Sequence, residues 1–317
     1  MGQGDLHVVL GAGGGAGSAV VRELLARGAR LRAVQRRPIA ARPGLETAAA
    51  DLSDPAAARR ACEGAAVIYH CVNAPHARWA KELLPLTRAV LDAASAAGAR
   101  LVVMDNLYMY GVTSSPLAED TPADSRTRKG RLRAESARLI LDAHRAGRCR
   151  AVIGRASDFY GAGGANSVAG EWMFRDVLGG KAAGWPASLD QPHSLSYLED
   201  VGRALALLGV REEALGQVWH LPCAAPVTGR QFLEMVFEAL GRPPKMSVIT
   251  PLMVGLAGLF VPFIREMNEM LYQWDRPFVV DDSRFRRAFG PFDVTPHRVA
   301  VERTVRWFQQ HLATPDR

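Results

Sequence analysis

The sequence predicts an α/β chain with a doubly wound parallel sheet followed by a smaller C-terminal lobe. Three observations predict this. Short apolar runs of strand length alternate with longer helical patterns from Leu6 to Met104. The first of these runs leads through a glycine-rich turn straight into a helix. The chain of 317 residues, 48% hydrophobic and 22% charged, is long enough for a main domain with a further lobe.

Taken in order, Leu6 to Leu10 is the first strand. It runs into Gly11-Ala12-Gly13-Gly14-Gly15-Ala16-Gly17 and then a helix with Val20, Val21, Leu24 and Leu25 on one face, ending at Gly28. Glycines let a backbone turn sharply and approach a pyrophosphate without a Cβ in the way, and the helix N-terminus then faces the anion. Gly11, Gly14, Gly15, Ala16 and Gly17 are therefore candidate dinucleotide contacts in a Rossmann-type arrangement. Leu31 to Val34 is a second strand, ending at Gln35-Arg36-Arg37-Pro38. An acid at this junction would hold the ribose 2′-hydroxyl of NAD, whereas arginine suits a 2′-phosphate. No acid stands there; Arg36 and Arg37 do, so the expected cofactor is NADP rather than NAD.

Beyond Ala48-Ala49-Ala50-Asp51-Leu52-Ser53-Asp54, a helix is expected from Pro55 to Glu63, capped by Asp54. Ala65 to Val72 is a third strand, broken at Asn73-Ala74-Pro75. A helix from Arg78 to Ala97 ends at Gly98, and Arg100 to Met104 is a fourth strand. This β-α-β-α-β-α-β order favours a parallel sheet with helices on both faces.

The net charge of +7 is scattered, apart from a run at Arg126 to Arg133. No basic stripe is interleaved with aromatics, so no nucleic-acid partner is expected; a positive field suits a phosphate-bearing cofactor. Cys62, Cys71, Cys149 and Cys223 have no metal-ligand spacing, so no metal is expected. With the absence of a basic and apolar leader after Met1, they point to the cytoplasm. Met246 to Ile264 carries no charge, but Pro251, Gly255, Gly258 and Pro262 interrupt it. A buried or substrate-covering helix pair is expected there, and no membrane span.

Several segments then invite a family comparison. Gly11-x-x-Gly14-x-x-Gly17, Asp51-Leu52-Ser53-Asp54, Val67-Ile68-Tyr69-His70 and Tyr110-Gly111 occur in that order. They are followed by Gly154-Arg155-Ala156-Ser157-Asp158-Phe159-Tyr160-Gly161, Ser196-Tyr197-Leu198-Glu199-Asp200-Val201, and a closing Phe278-Val279-Val280-Asp281 with Thr295-Pro296. The chain resembles the extended short-chain dehydrogenase/reductase superfamily, the NAD(P)-dependent epimerase/dehydratase group. The resemblance implies a dinucleotide-binding domain over residues 1–161 and a mostly substrate-covering lobe over 162–317, with segments near 193–221 returning to the sheet. It places Asp51 and Leu52 on the adenine side and adds Asn73, Lys129 and Ser157 to the cofactor contacts. A small-molecule substrate is implied, and homodimerisation is left open.

The resemblance also implies a Tyr-x-x-x-Lys pair on one helix and a Ser or Thr after the fourth strand. Lys129 stands where the lysine is expected, but the residue four earlier is Ser125, and the Ser/Thr position is Asn106. A serine is a poor acid at neutral pH, so another phenol, Tyr108 or Tyr160, is a candidate to replace the tyrosine. Lys129, Tyr108, Asn106 and Ser125 are the candidate catalytic residues. His193 and Asp158 are set aside as structural, and Arg265 and Arg276 are candidates for a phosphate. The apolar cap suits a small apolar carbonyl compound. The reading is an NADP(H)-dependent oxidoreductase acting on a carbonyl or hydroxyl group. The alternatives are a non-catalytic dinucleotide sensor and a nucleotide-sugar epimerase or dehydratase.

Overall fold

A computed structural model describes residues 4–37, 43–113, 116–258 and 268–312. The chain divides into two compact units, each assembled from separate stretches. The first comprises Met1–Gly111, Pro122–Ala156 and Val201–Leu221; the second comprises Val112–Thr121, Ser157–Asp200 and Pro222–Arg317.

The first unit is a parallel sheet with flanking helices. Its strands are β1 (Leu6–Leu10), β2 (Arg30–Gln35), β3 (Leu45–Ala49), β4 (Val67–His70), β5 (Arg100–Asp105), β6 (Arg150–Arg155) and a last strand, Val218–His220. In space the order is Val218–His220, β6, β5, β4, β1, β2, β3, with every pairing parallel. The direction of winding reverses between β1 and β4, and a parallel sheet offers a crevice outside its carboxyl ends at that point. The sheet is covered by α1 (Gly15–Ala26), α2 (Pro55–Cys62), α3 (Trp79–Ala97) and α4 (Arg128–Arg145). Val8, Leu10, Ile68, Leu101 and Ile153 supply the sheet side of one core, against Val90 and Ile140 from the helices.

The expected strand–helix alternation holds with one addition. β3 follows β2 without a helix between and was hidden because, as an edge strand, it buries only Leu45 fully and lacks a continuous apolar run. The cap of α2 is as read: Asp54 accepts the Ala56 N–H at 2.9 Å. Gly98 closes α3 at φ 63°, a left-handed cap that favours glycine. Between α3 and α4 the hydroxyls of Thr87 and Ser136 meet at 3.0 Å in the core. Arg100, 6% exposed, donates to the carbonyls of Gly209 and Arg211 and also reaches Glu212, tying β5 to the turn after the helix Leu198–Leu208.

The second unit has its own core, with Phe174, Trp185, Phe232, Phe237 and Phe308. Short strand pairs brace it: Asp158–Tyr160 with Leu195–Tyr197, Ala183–Pro186 with Met246–Ile249, and Pro192–His193 with Val227–Thr228. The stretch expected to form a buried or substrate-covering helix pair begins instead with a strand. Met246–Ile249 is a strand and Pro251–Gly258 a helix, with Leu252 72%, Met253 54% and Leu256 57% exposed; residues 259–264 lie outside the described residues. Among the described residues no helix is long and apolar enough to cross a membrane.

Candidate functional site

The turn after β1 is shaped by what a side chain would strike. Gly11 has φ +82°, and a Cβ there would meet Val72 Cγ2 at 2.9 Å and the Cys71 carbonyl at 3.0 Å. A Cβ on Gly17 would lie 2.1 Å from the Gly11 carbonyl oxygen, so only glycine lets α1 start this close to the turn. Among the described residues, α1 begins at Gly15 with no side-chain cap and no acid in its first turn, and the positive end of a helix suits an anion. Gly14 and Gly15 are at the surface of this turn, while Ala16 and Gly17 pack beneath it. Gly11 and Gly17 thus let the turn, the strand and the start of α1 pack closely, an arrangement that fits a pyrophosphate.

At the end of β2, Arg36 and Arg37 are exposed, and Gln35 turns its amide onto the Arg37 carbonyl. Asp51 is also exposed; its carboxylate accepts from the backbone and hydroxyl of Ser53, which holds its pKa below the usual range, with Arg36 adding to the effect. Leu52 is 5% exposed and belongs to the core. Asn73 is exposed just beyond β4. Ser157 falls in the second unit, its hydroxyl buried without a hydrogen-bond partner among the described residues.

The catalytic candidates separate on inspection. Lys129 lies in the first turn of α4 and is 2% exposed. Ser125 is not on the helix with it, because α4 starts at Arg128 with Thr127 as cap. The Ser125 hydroxyl meets that of Thr127, which in turn accepts the Gly130 N–H at 3.0 Å. Asn106 is likewise occupied: its Oδ1 accepts the N–H of Tyr108 at 3.2 Å. Tyr108 is half-buried, its ring 6.0 Å from that of Trp79. Tyr160, the other phenol considered, is wholly buried in the second unit. It meets His297 Nδ1 at 2.8 Å, and burial pushes its pKa up, which disfavours it as the replacement acid.

Sequence reasoning missed a buried charged network at the carboxyl ends of β5 and β6 and of the strand Val218–His220. Asp105 lies 3.4 Å from Arg133 and 3.3 Å from Arg155, all three less than a tenth exposed. Arg155 donates to the Tyr110 hydroxyl at 2.8 Å, and that hydroxyl meets His220 Nε2 at 2.7 Å. Next to it, His70 at the end of β4 is buried, with no hydrogen-bond partner for Nδ1 among the described residues; burial first, then the Arg133 charge, bring its pKa down to about 4. Only the terminal positions of the strand segments hinted at this set, since polar residues there are common.

In the second unit, His193 and Asp158, set aside from the sequence, are brought together at 2.9 Å. The imidazole is stacked on Trp274 at 4.0 Å and its Nδ1 faces the Gln273 carbonyl. Arg276 pairs with Asp275, and Arg265 lies outside the described residues.

The model of the NAD dependent epimerase/dehydratase family matches residues 7–219. No curated protein matches the chain. Among solved structures, the Bordetella bronchiseptica enzyme WbmH in complex with NAD+ is 17% identical over 97% of this chain and 99% of its own, with a TM-score of 0.74. MoeE5 in complex with UDP-glucose and NAD is 21% identical over 98% and 100%, with a TM-score of 0.77. UDP-glucuronic acid 4-epimerase from Bacillus cereus in complex with NAD is 14% identical over 96% and 99%, also at 0.77. At these identities the likeness is one of fold.

Proposed function

The chain belongs to the NAD dependent epimerase/dehydratase family, and on that premise we propose that its first unit holds a nicotinamide dinucleotide and supports hydride transfer at a carbonyl or hydroxyl carbon. The observation that carries the reading is the glycine cradle, where a Cβ on Gly17 would stand 2.1 Å from the Gly11 carbonyl oxygen. The bound dinucleotide supplies the hydride acceptor or donor. The chain supplies the rest. Gly11 to Gly17 and the start of α1 bind the pyrophosphate, and Lys129, buried in the first turn of α4, holds the nicotinamide ribose.

Ser125 and Asn106 are both engaged in backbone and capping contacts, which supports Tyr108 as the phenol that moves the substrate proton. The exposed pair Arg36 and Arg37, with no acid at the end of β2, favours the 2′-phosphorylated cofactor, NADP(H). The UDP-glucose held by MoeE5, and the name of the Bacillus cereus neighbour, a UDP-glucuronic acid 4-epimerase, favour a nucleotide sugar as substrate. The exposure of Leu252, Met253 and Leu256 weakens the case for an enclosed apolar pocket. The two units divide the work, dinucleotide in the first and substrate in the second.

The test is titration of the purified chain with NADPH and NADH, followed by nicotinamide fluorescence, then turnover on a panel of UDP sugars and small apolar carbonyl compounds. Saturable binding, tighter for NADPH and weakened about tenfold by replacing both Arg36 and Arg37 with alanine, is expected. Failure of both nucleotides to bind overturns the reading. Binding without turnover of any substrate transfers it to a sensor.

A further inference from the structure

Asn73 stands exposed where β4 gives way to loop, and its Oδ1 accepts from Arg133 Nη2 at 2.8 Å. A guanidinium carries donors only, so the amide oxygen is the atom turned inward and the –NH2 is turned out. Left alone, an exposed asparagine amide flips between two roughly equivalent orientations. Here one is selected.

The residue that selects it is placed at some expense. Arg133 is 8% exposed and lies over the Trp79 ring at 4.2 Å. Its carboxylate partner among the described residues, Asp105, is shared with Arg155. Its Nε is buried with no hydrogen-bond partner among the described residues. A guanidinium under-satisfied in this way is a poor device for stability, and an apolar side chain packed on Trp79 would serve better. Arg133 also follows Lys129 by one helical turn, so both issue from the same face of α4.

We propose that Arg133 is a positioning residue that locks Asn73 with its –NH2 outward, as a donor to an oxygen of the bound dinucleotide. This rests on the reading of the first unit as a dinucleotide site. Arg133 touches no ligand in this scheme and acts through Asn73. The consequence is coupling: once the Asn73 amide is gone, Arg133 has nothing left to orient.

The experiment is a double-mutant cycle on the dissociation constant for NADPH, with thermal unfolding of each variant as the control. Asn73→Ala and Arg133→Met each raise Kd about tenfold. The double variant stays near tenfold instead of reaching the about hundredfold of independent effects. Arg133→Lys, which keeps a donor within reach of the Asn73 oxygen, recovers Kd to within about threefold of wild type. Asn73→Asp, which has no donor to offer, binds about tenfold more weakly or worse, and it answers the question if Arg133→Met does not fold. An unchanged Kd in Asn73→Asp, or multiplicative effects in a folded double variant, overturns the proposal. If wild type binds no dinucleotide, it is the parent reading that fails; if wild type binds and Asn73→Asp binds equally, only this inference fails.

Discussion

The hydroxyls of Ser125 and Thr127 meet at 2.9 Å, and this contact places residue 125 in the cap of α4 instead of on its face. A Cβ on Gly130 would lie 2.1 Å from the Ser125 Oγ, and one on Gly111 3.2 Å from it, so the serine fills a closed space. Restoring a tyrosine at this position therefore does not restore a Tyr-x-x-x-Lys pair. Ser125→Tyr is expected to lose about 1–3 kcal/mol of stability through overpacking and to gain no turnover. Ser125→Ala loses about 1 kcal/mol with turnover nearly unchanged. Urea unfolding and steady-state rates check both.

If Tyr108 moves the substrate proton, Tyr108→Phe lowers turnover by about 10²- to 10⁴-fold and leaves NADPH affinity within about twofold. A variant with wild-type turnover would assign the proton to a group other than Tyr108.

Gly17→Ala tests the cradle with one carbon. Its Cβ clashes with backbone, which cannot swing away as a flexible side chain would. Binding of NADPH is expected to weaken about ten- to hundredfold, equivalent to about 1–3 kcal/mol of forced backbone shift. Isothermal titration reads the change, and an unaltered Kd would remove the steric case for this glycine.

Asp105 is the carboxylate set between two buried guanidinium groups. Asp105→Asn leaves Arg133 and Arg155 facing each other without a counter-charge, and a loss of about 3–5 kcal/mol in unfolding free energy is expected. A loss under about 1 kcal/mol would mean that the two arginines find other partners.

His70 gives the acid limb of stability. In the unfolded chain it takes a proton near 6.5, whereas in the fold burial and the Arg133 charge delay protonation to about 4. Stability held above pH 6.5 is therefore lost as pH falls toward 4, by about 2 kcal/mol at pH 5 from this group. His70→Leu should flatten the pH 7 to pH 5 difference in unfolding free energy, read from urea titrations, by that amount. His7 and His297, also lowered by burial, leave a residual slope.

The sequence by itself determined the parallel sheet, the glycine turn and the caps at Asp54 and Gly98, because each depends on residues adjacent in the chain. Apolar runs of strand length, a glycine where a Cβ collides with the next turn, and an acid ahead of a helical proline are local physics. Local signals also sufficed to show that position 125 holds no tyrosine. What only the tertiary structure decided is what the remaining polar residues do. Asn73, Asp105, Arg133 and Arg155 are up to 82 residues apart in sequence, yet the parallel pairing of β4, β5 and β6 brings their carboxyl ends side by side, and α4 lays Arg133 across them. Burial then converts ordinary residues into a charged network, since the same arginines in solvent would interact only weakly. Edge strand β3 escaped detection for a related reason: its assignment depends on a neighbour's hydrogen bonds more than on its own apolar pattern.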